Sequence, residues 1–201
     1  IDWVCKLIEK DFVMGKVISI SDKNILGLVR IGEINVSDKK YSGDRPVAYQ
    51  YALKIDYDDD LPKGFVNRHM AFAYFFVVDG EIYKIGQSEC KGGIKGCMNF
   101  YLKSGQDDPS ITRFAINSMI RKELQKGKCV EVFVKYIDPI QIEIPTLTGT
   151  TIENVVAGGK SMEENMLSQY KKNKGEYPIW NMQESGNSVP SDIASKYAEY
   201  I

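Results

Sequence analysis

The chain has 201 residues with 43% hydrophobic and 26% charged side chains, which excludes disordered, collagen-like and disulfide-built architectures and fits one domain with a small appendage. Lys and Arg number 26 against 27 Asp and Glu, a formal net charge of -1, so no global positive field draws the chain to phosphate backbones. No apolar run approaches the roughly 20 residues needed to span a bilayer, and no signal-peptide pattern opens the chain, so a soluble, intracellular protein without membrane contact is expected.

The first 66 residues read as a small β-rich N-terminal lobe. A short helical start (Asp2 to Ile8) precedes strand-like runs at Lys16 to Ile20 and Leu26 to Ile31, with turn residues Ser21 to Asn24 between them. The acidic stretch Ile55 to Gly64 reads as a solvated linker, since the spacing of a calcium loop is missing. Cys5, Cys90, Cys97 and Cys129 form no C-x-x-C pair and have one histidine, His69, to cooperate with; they read as reduced thiols, and a structural zinc site is not expected.

From Met70 the pattern sharpens. MAFAYFFVV is apolar on both faces, as in a central strand; Asp79-Gly80 signals a hairpin and Glu81 to Gly86 returns. Ile94, Cys97, Met98, Tyr101 and Leu102 then fall at i, i+3, i+4, i+7 and i+8, the stripe of an amphipathic helix. Asp107 to Ser110 opens a second helix, about Ser110 to Lys126, closed by Gly127. Cys129 to Ile137 alternates as a strand. A Pro- and Thr-rich connection (Pro139 to Gly149) leads past Gly158-Gly159 to a third helix, about Lys160 to Lys174, and the tail from Ser185 ends in a short helix, Ser191 to Tyr200. Hairpin, two helices, strand and helix make an α+β core over residues 67–184, followed by a C-terminal tail helix within 185–201.

Between Lys91 and Lys128 eight Lys or Arg face three acids, a local surplus of five, with Lys91, Lys95, Arg113, Arg121 and Lys122 as candidate DNA-binding residues. Arg68 and His69 lie just before the core, and His69 is a further candidate, either for contact with DNA or as a proton carrier.

AYFFVVDGEIYKIGQS, then GGIKGCMNFY, then KSMEENMLSQY and YPIWN, resemble in order and spacing the GIY-YIG nuclease superfamily, most closely its short type II restriction endonucleases. The resemblance covers about Phe72 to Asn181. It implies a catalytic phenol at Tyr74, with Lys84 beside it where most members carry Tyr. Because a phenol with a reference pKa of about 10 is a poor base at neutral pH, Lys84 is the cation expected to favour its ionised form. That pairing demands a shared face, so the sequence predicts a turn Val78-Asp79-Gly80 ending in a left-handed glycine bulge, which sets Tyr74 directly across from Lys84.

The resemblance further implies a phosphate-clamping Arg in the pattern I-x-x-R-x-x-x-Y, and here Cys97 stands at the Arg position between Ile94 and Tyr101. Either the chain is an inactivated, low-activity Arg-to-Cys form, or it is an altered member in which Lys91, Lys95 or Arg113 substitutes. Tyr101 matches a position near the phosphate. Glu163 heads the stripe Glu163, Met166, Leu167, Tyr170 and is chosen over Glu164 as the ligand of Mg²⁺ or Mn²⁺. Asn181 matches an amide that helps hold the active site or the phosphate. The function implied is metal-dependent, sequence-specific cleavage of double-stranded DNA by a homodimer; the alternative is a non-catalytic DNA-binding or regulatory module on the same fold.

Overall fold

The computed structural model describes residues 27–41, 48–105 and 109–200. The expected helix at Asp2 to Ile8, the strand at Lys16 to Ile20, the turn at Ser21 to Asn24, and Cys5, Asp107 and Asp108 lie outside these residues.

Eight consecutive apolar residues, Ala71–Val78, form β3, and all eight are buried. Such a strand can exist only inside a sheet covered on both faces. Accordingly β3 lies between β4 (Glu81–Ser88) and β5 (Val130–Ile137), and the sheet continues through β1 (Val29–Lys40) to β2 (Tyr51–Tyr57) in the order β2-β1-β5-β3-β4, antiparallel throughout. The described strands of the expected N-terminal lobe, β1 and β2, are thus part of the core's own sheet. The acidic stretch is not a free linker either. Ile55 and Asp56 sit inside β2, and Asp58 pairs with Arg30, which also holds Glu131 at 2.6 Å.

Because successive side chains alternate, β3 feeds two cores. Phe72, Tyr74, Phe76 and Val78 face one side, with Ile31, Ile34, Val132 and Val134. That side is covered by α1 (Gly93–Leu102) through Ile94, Cys97, Met98 and Leu102, and by α2 (Ile111–Gln125) through Phe114, Ile116 and Ile120. Ala73, Phe75, Val77, Ile85 and Phe133 face the other side, beneath α3 (Gly159–Lys174), whose Met162, Met166, Leu167 and Tyr170 close it. The fold is α+β, with helices on both faces of an antiparallel sheet.

A four-residue helix, α4 (Met182–Ser185), precedes α5 (Ser191–Tyr200). The latter docks on α2: Ile193 is buried, and the rings of Tyr197 and Tyr200 lie 5.3 and 5.8 Å from that of Phe114. The Pro/Thr-rich stretch read as a plain connection is a two-stranded hairpin of its own, β6 (Ile140–Thr146) and β7 (Gly149–Val155).

Candidate active site

The hairpin is built differently from the sequence expectation, and Tyr74 does not stand directly across from Lys84. Asp79 and Gly80 both take positive φ, 49° and 85°, as a two-residue type I′ turn requires, so Val78 faces Glu81 and Val77 faces Ile82. The extra residue is in the strand: the register shifts between Val77 and Phe76, Tyr83 bulges, and thereafter Phe76 faces Lys84 and Tyr74 faces Gly86. Tyr74 and Lys84 therefore share a face as diagonal neighbours instead of meeting head-on. The residue under the phenol is a glycine for steric reasons. A Cβ on Gly86 would stand 2.2 Å from the Tyr74 hydroxyl and 2.3 Å from its Cζ.

Tyr74 is 3% exposed, and its hydroxyl lies 2.5 Å from that of Tyr101 on α1. Burial is the main cause that pushes both phenols up, Tyr74 well above its usual value and Tyr101 to about 12. For Tyr74 the neighbouring Tyr101, Cys97 and Glu163 push the same way. The expectation that Lys84 ionises this phenol is thus corrected: burial in the aromatic core dominates, and the Tyr74 hydroxyl stays neutral.

Lys84 itself is buried, and burial lowers its pKa against the opposing pull of Glu184 and Glu163. Glu163 belongs to α3, the helix on the far face, yet it is half-buried and its charge is felt at Lys84, Tyr74 and Tyr101 around the β4 edge. Burial raises its carboxyl pKa, Lys84 holds it down, and Glu184 and Glu164 add to the rise. Glu164, by contrast, is exposed and lies 3.7 Å from Lys160. Among the described residues no group of three His, Cys, Asp or Glu side chains forms a preassembled metal cage. A desolvated carboxylate with a second acid, Glu184, in its field suits a hard ion such as Mg²⁺, which binds through one or two carboxylates and completes its shell with water and phosphate.

Cys97 is buried on the inner face of α1. Burial carries its thiol to about 12, with a Ser88 hydrogen bond and the Arg113 and Lys84 cations pulling it down, so it is neutral and offers no charge to a phosphate. Arg113, in the first turn of α2, is exposed, and its guanidinium carbon lies 4.4 Å from the centroid of the Phe100 ring on α1.

Asn181 is fully buried, and its amide is occupied by protein. Its Oδ1 accepts from the Ile85 N–H at 2.8 Å, its Nδ2 donates to the Ile85 carbonyl at 2.8 Å and to Glu184 Oε2 at 3.3 Å, and the neighbouring Trp180 N–H donates to the Tyr83 carbonyl at 2.8 Å. It substitutes for a further strand along β4. With both amide ends engaged it fixes the segment 180–184 against β4.

The expected DNA-binding set divides. Lys91 and Lys95 are exposed around the start of α1. Arg121 is 6% exposed: it donates to Asn117 Oδ1 at 2.8 Å and to the Tyr51 carbonyl at 2.7 Å, and covers the Tyr49 ring at 4.1 Å, so it braces the core and faces no DNA. Lys122 pairs with Asp192 and ties α2 to α5. Arg68 pairs with Asp138 at 2.9 Å, and His69 Nε2 lies 3.3 Å from the Glu89 carbonyl. Glu184 escaped the sequence reading because it lies on a four-residue helix without periodicity. Its one signal is its position three residues after Asn181.

No protein-family model matches the chain, nor does any curated protein. Among solved structures, a mutant of bacteriophage T4 EndoII is similar at a TM-score of 0.46 with 13% identity, over 82% of this chain and 99% of that one. The restriction endonuclease HPY188I in complex with product DNA is similar at 0.44 with 20% identity, over 90% of this chain and 91% of the other.

Proposed function

We propose that the chain is a DNA endonuclease of GIY-YIG type that hydrolyses phosphodiesters with a divalent metal, in the manner of a site-specific restriction enzyme acting as a homodimer. The observation that carries this is the convergence of a paired phenol (Tyr74 and Tyr101), a desolvated ammonium (Lys84) and a desolvated carboxylate (Glu163) at one strand edge. These groups come from a hairpin, α1 and α3, and a cluster of opposite charges taken out of water is costly unless it has work to do.

In the reaction a water oxygen bonds to phosphorus as one ester P–O bond breaks. Tyr74, held by Tyr101, orients that water. Burial lowers the Lys84 pKa, and the fraction of Lys84 present as the neutral amine accepts the proton of the attacking water and becomes the ammonium. Glu163, with Glu184 beside it, would hold a metal whose positive charge neutralises phosphate charge. Lys91 and Lys95 face solvent near α1 and suit backbone phosphates.

The test is incubation of the Cys97→Arg protein with phage-sized DNA and Mg²⁺. Discrete bands that vanish with chelator support the reading; intact DNA under these conditions removes the enzyme. A second reading, a DNA-binding module without catalysis, draws on the neutral Cys97 thiol, and it predicts a salt-sensitive gel shift with intact DNA for both proteins.

A further inference from the structure

We infer that Arg113 is the phosphate-contacting cation of this site, reaching from α2 into the place that Cys97 leaves uncharged on α1; the inference rests on the nuclease reading above.

Four observations carry it. Arg113 sits in the first turn of α2, where the helix's own partial charge is positive, so the helix gives this cation no support. Among the described residues no carboxylate pairs with it. Its guanidinium instead lies over the face of Phe100, a ring left 48% exposed. Among the described residues the guanidinium makes no hydrogen bond besides this ring contact, so its N–H fork is available to two oxygens of one phosphate. Finally, Phe100 directly precedes Tyr101 and follows Cys97 by three residues on α1, so its ring, the thiol and the Tyr101 phenol belong to neighbouring positions of one helix. The electrostatics agree with this placement: Arg113 pulls down both the Cys97 thiol and the Tyr101 phenol.

A guanidinium on the aromatic shelf at Phe100 can therefore do what an Arg at position 97 would do from one turn away. The ligand chemistry is an oxyanion bearing two equivalent oxygens, here the non-bridging pair of the scissile phosphate. The aromatic shelf holds the side chain before DNA arrives, so little rotamer freedom is lost on contact.

The experiment compares nicking of supercoiled plasmid in Mg²⁺ by the native chain, Arg113→Gln, Arg113→Lys, Cys97→Arg and the Arg113→Gln/Cys97→Arg double variant, with metal-free gel shifts and melting temperatures alongside. The native chain is expected to nick. Arg113→Gln should lose about 100- to 1,000-fold in rate, with DNA affinity changed less than about threefold and an unchanged melting temperature. Arg113→Lys should recover only part of the loss, since a point charge cannot fork, and Cys97→Arg should restore the double variant.

Equal nicking by Arg113→Gln overturns the inference, and so does a parallel loss of binding and rate. An inert native chain with an active Cys97→Arg protein also overturns it while leaving the nuclease reading standing. Inertness of both proteins, with DNA bound, overturns the nuclease reading itself.

Discussion

Replacing Gly86 by Ala tests the hairpin geometry most directly. The added Cβ would meet Tyr74 at 2.2 Å from its hydroxyl, 2.3 Å from Cζ and 2.8 Å from Cε2. None of these atoms can yield cheaply. The ring is packed between Phe72, Phe76 and Tyr101, and its hydroxyl is fixed by Tyr101 at 2.5 Å. Overpacking of a dense core costs about 1–3 kcal/mol, and loss of the buried hydroxyl pair about 1 kcal/mol more, so a total of about 2–4 kcal/mol is expected. That is a large share of the 5–15 kcal/mol typical of a domain.

Urea denaturation at constant m-value measures the loss. A double-mutant cycle identifies its source. Tyr74→Ala alone should cost about 3–5 kcal/mol by analogy with Phe→Ala, but the methyl added by Gly86→Ala would then enter the vacated space, so the two changes should couple by about 2 kcal/mol. Tyr74→Phe should give no such relief, because the ring carbons still collide. A Gly86→Ala protein within about 0.5 kcal/mol of the parent, or additive costs in the cycle, would refute the geometry.

Lys84→Met should abolish cleavage yet stabilise the fold at neutral pH by about 1 kcal/mol, because a buried charge is exchanged for an apolar chain of similar length. Since burial lowers the Lys84 pKa, the unfolded chain holds this proton more tightly; parent stability should rise with pH between the lowered value and the ordinary 10.5, and the Met variant should lack that rise in pH-dependent urea melts. Glu163→Gln should remove the gain in melting temperature that Mg²⁺ or Mn²⁺ gives the parent. It should also remove a fall in parent stability as pH climbs from 4.5 to the raised pKa, where the native state holds the extra proton. Arg121→Met should cost about 2–3 kcal/mol in urea melts by leaving Asn117 Oδ1 and the Tyr51 carbonyl without their donor, while gel shifts show DNA affinity unchanged.

Most of the frame was legible because it follows from local periodicity. The run Ala71 to Val78 can only be a doubly covered strand, and the stripe from Ile94 to Leu102 marks the face that α1 buries. The hairpin at Ile140 to Val155 was not legible. Pro145 and the threonines read as a loop, and a pair of strands with no core face beneath them shows no clean alternation of apolar and polar residues. Arg121 misled for a related reason. A helix with charged residues at regular intervals looks solvated on one side, but α2 is buried along Phe114 to Arg121 between the sheet and further elements such as Tyr49 and α5, and only tertiary packing determines this.

The candidate residues were named from the sequence, but the register that brings Tyr74 and Lys84 to one face was not. A simple two-residue turn with no bulge would put Tyr74 and Lys84 on opposite faces. What reconciles the turn with a shared face is the bulge at Tyr83, and nothing in Glu81 to Ile85 announces it. Its supports come from about a hundred residues further along: Trp180 holds the Tyr83 carbonyl, and Asn181 grips both polar groups of Ile85. The same strap satisfies backbone groups that an edge strand would otherwise leave open to another chain. It brings Glu184 in with it, since Asn181 also binds that carboxylate. The strand edge, the alignment of Lys84 with Tyr74 and the second acid are therefore fixed by one short segment, so the YPIWN motif belongs to the site although none of its side chains needs to touch a phosphate.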